Sequence, residues 1–299
     1  MAARTGGSET LTRVAVAAVG IPVAVFAVYR GRWVLAAFLG VVAALVAHEL
    51  CRLAALKGAR PLALVSAAGA AGIVTVYGLT PWTGPTNGYA TLILSVLTLV
   101  ACTAAIWTRG VAGAPLLSVA VTVFAVVYAS LLKYAVFIRH LPCDEARPPV
   151  CSLQALEGTL LVLGPVALTW VSDSAAYFGG RMWGKRKLIP SVSPGKTVAG
   201  AVSAVVGATL AGAAYAALVQ PHLAYYRPTL VQGALLGLVV SVVAQVGDLA
   251  ESLFKRDAGA KDSGTLFPGH GGALDRFDSL LFTLPVGYVF LRVVVQIGA

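Results

Sequence analysis

Asp275 and Asp278 stand three residues apart in "LDRFDS", which puts both carboxylates on one face if that segment is helical. A third carboxylate, Asp248, comes from a separate segment, "QVGDLAES", with Glu251 one helical turn beyond it. Asp248, Asp275 and Asp278 together make an oxygen-rich site suited to Mg2+, a hard cation held by a few carboxylates plus substrate phosphates. Arg276 points away from the two acids beside it and is placed to meet a phosphate. Just upstream, "PGHGG" (268–272) is flexible glycine-rich backbone whose N–H groups can approach an anion closely. His270 has no His, Cys or Ser partner at a recognisable spacing, so it reads as a loop hydrogen bonder or phosphate contact rather than a metal ligand.

Three other polar features carry two readings each. "SPGKT" (193–197) lacks the full GxxxxGK[ST] phosphate loop, but Ser193 and Lys196 at the mouth of a helix form an anion site, unless the loop serves only to orient the chain. Asp173 and Asp248 sit near the ends of apolar segments. A carboxylate at mid-membrane costs about 2.5–3.5 kcal/mol, less towards the interface. These acids either mark a cation site or pathway or reach the interface and are hydrated. Glu49 and Arg52 in "AHELCR" read as an i,i+3 pair anchoring a helix end, and "HEL" is not a metalloprotease HExxH.

The elements that must position these residues are membrane helices. The chain of 299 residues is 58% hydrophobic and only 11% charged, and apolar runs of about twenty residues recur along it, each able to cross a ~30 Å hydrocarbon core. The expected fold is all-α, a polytopic transmembrane bundle of about nine spans: 12–29, 33–55, 62–80, 88–107, 115–137, 155–178, 197–219, 229–250 and 279–297. The first run has no clear cleavage site before Arg30 and reads as a retained helix. With the N-terminus cytoplasmic, the outside segments keep only Arg30, Arg32, Arg139, Arg147 and Arg227, while the other loop cations fall inside. The net charge of +10 is therefore mostly topological and argues against a nucleic-acid partner. Residues 1–154 read as a scaffold half. Residues 155–299 read as the catalytic half, with cytoplasmic loops 180–196 and 251–278. Gly233 and Gly237 form a GxxxG that suits intramolecular packing ahead of dimerisation, with a homodimer left open. Cys51 and Cys102 read as small apolar fillers, and Cys143 and Cys151 share an outside loop that permits a disulfide.

"ESLFKRDAGAKDSGTLFPGHGGALDRFDS" closely resembles the C-terminal signature of the phosphatidate cytidylyltransferase (CDP-diacylglycerol synthase) family: S-x-x-K-R, four residues, K-D-x-G, P-G-H-G-G, then D-R-x-D. It falls on Ser252, Lys255, Arg256, Lys261, Asp262, Gly264, Pro268 to Gly272, Asp275, Arg276 and Asp278. "SDSAAYFGGRMWGKRKLIPSVSPGKTVAG" is similar to a second block of the family through Asp173, Tyr177, Gly180, Arg181, Gly184, Lys185, Ser193, Pro194, Lys196 and Thr197. Ala273 replaces a larger aliphatic, and Ala199-Gly200 replaces Glu-Gly, leaving one carboxylate fewer near that loop. The resemblance implies transfer of a cytidylyl group from CTP to phosphatidate with Mg2+, at the cytoplasmic face of a cell membrane. It implies catalytic roles for Lys255, Arg256 and Lys261 beside Asp248, Asp275, Asp278 and Arg276. It implies substrate contacts at Asp173, Tyr177, Arg181, Ser193, Lys196, Thr197, Ser252, Asp262, His270, Gly271 and Gly272. An acceptor such as archaetidic acid or a polyprenol phosphate fits the same headgroup residues. A cation-coupled transporter built on Asp173 and Asp248 would call for inverted repeats and broken helices, which the sequence does not show.

Overall fold

In lipid an open backbone has no partner, so the apolar segments close their hydrogen bonds within themselves. The computed structural model describes residues 6–79, 86–141, 155–266 and 271–295. Among the described residues seven helices are long and apolar enough to cross a membrane: Arg32–Leu56, Gly88–Thr108, Pro115–Arg139, Ala155–Trp183, Val198–His222, Leu230–Asp257 and Leu274–Val295. Two shorter apolar helices, Val16–Arg30 and Ala63–Leu79, fall on the other two expected segments. The protein is an all-α, multi-pass membrane protein. Cys143, Cys151 and His270 lie outside the described residues.

The chain divides into two compact units, Met1–Ser130 with Lys255–Phe277, and Leu131–Phe254 with Asp278–Ala299. The first contains α1 (Gly6–Arg30), α2 (Arg32–Leu56), α3 (Ala63–Leu79), α4 (Thr86–Thr108) and α5 (Pro115–Ala129). Only Gly31 separates α1 from α2, and its φ of 62° lies in the left-handed region that glycine enters without strain. Leu35, Leu39, Val42, Val46, Leu50 and Leu53 recur every three or four residues and bury one face of α2. α3 lies close against it, because a side chain at Gly78 would run into Ala36 and the Arg32 carbonyl. Polar bonds join α3 and the residue before it to α5: the Leu62 N–H donates to Thr122 Oγ1 (2.9 Å), and Ser66 Oγ donates to the Thr122 carbonyl (3.1 Å). Cys51 is buried with its thiol 3.3 Å from Ser66 Oγ, whereas Cys102 is exposed on α4.

The second unit contains α6 (Lys133–Arg139), α7 (Ala155–Trp183), α8 (Val198–Val219) and most of α9 (Leu230–Asp257) and α10 (Leu274–Phe290). α8 and α9 meet almost backbone to backbone. A Cβ at Gly212 or Gly233 would strike the other's carbonyl, and one at Gly237 would strike Ala208. The Gly233–Gly237 pair is thus used inside the chain. Leu168, Leu236 and Val240 form a buried core beside it. Polar pairs sit in the same interior, with Ser172 Oγ 2.8 Å from Ser241 Oγ and Thr169 Oγ1 donating to Thr283 Oγ1 at 3.2 Å.

Two local features differ from a reading of helices joined by loops. A short antiparallel hairpin, β1 (Lys187–Ile189) with β2 (Ser193–Thr197), occupies most of the expected 180–196 loop, in register Lys187 with Thr197 and Ile189 with Ser193. The helices also outrun their apolar stretches. α7 continues to Trp183, α9 to Asp257, and α10 begins at Leu274, because a helix keeps its backbone bonds after its side chains turn polar. Several candidate site residues therefore stand on helix ends.

Candidate active site

In the second unit α9 carries Asp248 and Glu251 one turn apart, and Gly247 lets α10 approach. A Cβ at Gly247 would lie 3.0 Å from the Asp278 carbonyl and from the Phe282 ring. Asp248, Glu251 and Asp278 consequently bring one carboxylate oxygen each within 4.8 Å of one another. Glu251 is fully buried, and Asp248 and Asp278 are half-buried. Three ionised carboxylates this close would repel strongly, and a divalent cation among them would remove the repulsion. The donor set fits Mg2+ chemically.

Lys196 reaches the same group. Its ammonium lies 2.8 Å from Asp248 Oδ2, and Ser252 Oγ donates to Asp248 Oδ1 at 3.4 Å. Lys196 is held there by the end of β2 and the start of α8. Thr197 is the N-cap of α8, and its hydroxyl accepts from the Gly200 N–H at 3.1 Å. Gly179, Gly180 and Gly184 at the end of α7 leave room for this corner, where added side chains would collide with Ser203 and Thr197. Asp173 on α7 interacts electrostatically with both Asp248 and Lys196. Tyr177 and Arg181 are exposed, with the guanidinium donating to the phenol oxygen at 3.1 Å, and Ser193 is half-buried in β2.

In the first unit a different network forms. Lys255 Nζ lies 2.7 Å from Asp275 Oδ1, and Asp275 Oδ2 accepts from the Ser263 N–H (2.9 Å), Ser263 Oγ (2.9 Å) and the Gly272 N–H (2.7 Å). Asp275 was expected beside Asp248 and Asp278. Within the second unit those two group with Glu251, and within the first Asp275 gathers Lys255, Ser263 and Gly272. Gly271 adopts φ 81°, and a Cβ there would press on the Asp275 carboxylate. Lys261, Asp262 and Arg276 are exposed, as is Arg256, which donates to the Ala260 carbonyl at 3.4 Å.

Sequence reasoning gave Glu49 no part in this network. Its carboxylate accepts from Ser263 Oγ (2.8 Å), the Ala273 N–H (2.9 Å) and the Leu274 N–H (2.8 Å). Arg52 donates to the Ser263 carbonyl at 2.7 Å, so the expected Glu49–Arg52 pair gives way to two bonds to one residue. The sequence signal was an acid about two turns before the end of an otherwise apolar helix.

Comparison with known proteins places these residues in context. The profile of the Cytidylyltransferase family matches residues 11–294. The chain is similar to an uncharacterized protein YnbB of Escherichia coli (strain K12), 43% identical over 144 residues, 48% of this chain and 46% of that protein. It is similar to a phosphatidate cytidylyltransferase of Synechocystis sp., 46% identical over 134 residues, 45% of this chain and 44% of that enzyme. A phosphatidate cytidylyltransferase of Bacillus subtilis (strain 168) is 42% identical over 134 residues, 45% and 48% of the respective chains. The matched segment thus spans about half the length of these curated relatives.

Proposed function

The chain belongs to the cytidylyltransferase family, and on that premise we propose that it transfers a cytidylyl group from CTP to phosphatidate, giving CDP-diacylglycerol and pyrophosphate. The observation that carries this reading is the grouping of Asp248, Glu251 and Asp278 within 4.8 Å, with Lys196 2.8 Å from Asp248. A phosphate oxygen of phosphatidate attacks the α-phosphorus of CTP. The new P–O bond forms as the bond to the β-phosphate breaks, and its electron pair leaves with pyrophosphate. The attacking phosphate is already ionised near neutral pH, so no strong base is required. What the protein must do is align two anions and offset the charge that develops on the leaving group.

Asp248, Glu251 and Asp278 would hold Mg2+, which when bound supplies positive charge to the phosphates of CTP. Lys196 adds an ammonium at the same place, fixed by the α8 cap. Lys255 holds Asp275, which gathers the backbone N–H groups of Ser263 and Gly272. The exposed cations Arg256, Lys261 and Arg276 are proposed phosphate contacts. Tyr177, Arg181, Ser193, Ser252, Asp262 and His270 complete the proposed substrate surface.

The proposed topology has nine crossings, the seven long helices plus the apolar stretches Val16–Arg30 and Ala63–Leu79, with the N-terminus and the site on the cytoplasmic side where CTP is found. Residues 155–299 carry the chemistry. The test is to incubate purified protein with labelled CTP, Mg2+ and phosphatidate and to look for a lipid-soluble cytidine product. Product from an archaetidic acid or a polyprenol phosphate alone would reassign the acceptor. No cytidine lipid from any acceptor would overturn the reading.

A further inference from the structure

Glu49 stands in the half of the chain read as scaffold, yet its carboxylate closes a loop more than two hundred positions away in sequence. It accepts from Ser263 at the start of the segment 263–274 and from the Ala273 and Leu274 N–H groups at its end. Both Ala273 and Leu274 are fully buried, and Glu49 is 7% exposed, so water offers these donors little alternative. Leu274 is the first residue of α10, whose N-terminal N–H groups have no partner within the helix. A buried carboxylate there satisfies them and meets the positive end of the helix dipole.

The glycines around the acid give independent support. A Cβ at Gly272 would collide with the Glu49 carboxylate and the Ser263 hydroxyl, and one at Gly264 would lie 2.9 Å from the Glu49 carboxyl carbon. Both glycines leave space that this one side chain fills. The Ser263 hydroxyl lies 2.8 Å from Glu49 Oε2 and 2.9 Å from Asp275 Oδ2, so its single proton links the two carboxylates.

We infer that Glu49 is a positioning residue that ties Ser263 and Gly264 to Gly272–Leu274 at the start of α10, so that Ser263, Gly272 and the Asp275 they hold keep fixed places beside substrate phosphate. This rests on the reading of those residues as substrate-handling. Without the clamp the ligand must fix Ser263 and Gly272 itself, so affinity falls before turnover does. A purely structural contribution to stability would instead reduce the amount of folded enzyme and leave KM unchanged.

The experiment uses the full chain in lipid nanodiscs, as wild type, Glu49→Gln, Gly272→Ala and the double variant. Glu49→Gln replaces one acceptor oxygen by an NH2 that faces an N–H donor. Gly272→Ala attacks the same contact from the loop side and leaves α2 untouched. Hydrogen exchange in the peptide spanning 263–274 should speed by about tenfold or more in each single variant, with peptides from α8 unchanged. The KM for CTP should rise about tenfold with kcat changed less, and the double variant should be no worse than the weaker single one. Unchanged loop exchange in both single variants overturns the inference, as does a lower thermal midpoint with wild-type KM. Wild-type protein that makes no cytidine lipid would remove the functional reading, while the exchange measurement would still decide the clamp.

Discussion

At the scale of single residues, the carboxylates separate into two roles. Asp248→Asn, Glu251→Gln and Asp278→Asn each remove a charge from the clustered group with little change in size. Activity with CTP and phosphatidate should fall by roughly 10²–10³, the loss typical of one electrostatic contact in a transition state. Raising Mg2+ should restore part of it. Asp275→Asn should also lower activity, but without recovery at high Mg2+, because Asp275 binds Lys255 and the loop backbone. Equal Mg2+ rescue of Asp275→Asn and Asp278→Asn would contradict this division. Asp257 provides the control. It pairs with Lys57 at 3.4 Å with both side chains largely exposed, a contact worth little in water. Asp257→Asn should leave kcat and KM within about twofold of wild type. Lys196 makes a two-sided prediction. On the proposed reading its ammonium would compete with a cation for Asp248 and supply charge to substrate, so Lys196→Ala should tighten Mn2+ binding measured by electron paramagnetic resonance while raising the KM for CTP. Weaker Mn2+ binding in that variant would sink the competition.

At the scale of elements, small residues decide where helices meet. Gly237 faces the Ala208 carbonyl so closely that Gly237→Val should force α8 and α9 apart, lowering stability by about 1–3 kcal/mol and the thermal midpoint in detergent. An unchanged midpoint would mean that the interface yields easily. The "GALLG" spacing announced this contact, and composition announced the apolar helices. Hydropathy did not reveal where the helices stop, because it fades before the backbone bonding does. Glu251 and Lys255 therefore fell in the expected loop 251–278, although with Asp248 they occupy successive turns of α9. The spacing of Asp275 and Asp278 suggested one shared face, since i,i+3 neighbours lie close on a helix. It could not show that Asp275 would be claimed by Lys255, Ser263 and Gly272, partners supplied by chain folding back. Glu49 was least legible, since its donors lie far along the chain and leave no local pattern.

At the scale of the whole molecule, the proposed nine crossings with a cytoplasmic N-terminus would put Ala299 on the far side. A reporter fused after Ala299 that works only in the cytoplasm should be silent, and an active one would remove a crossing from the count. The buried Glu49 also has a consequence in time. Ribosomes add about 5–20 residues per second. Ser263 follows Glu49 by 214 residues and Leu274 by 225, so α2 waits roughly 11 to 45 seconds for its partners at that pace. Throughout that interval a charged side chain near the end of an apolar helix has only water and headgroups for company. Nascent chains halted before residue 255 should accordingly be recognised by membrane quality control and degraded faster than the complete protein, and Glu49→Leu should lengthen their half-life in a pulse-chase experiment.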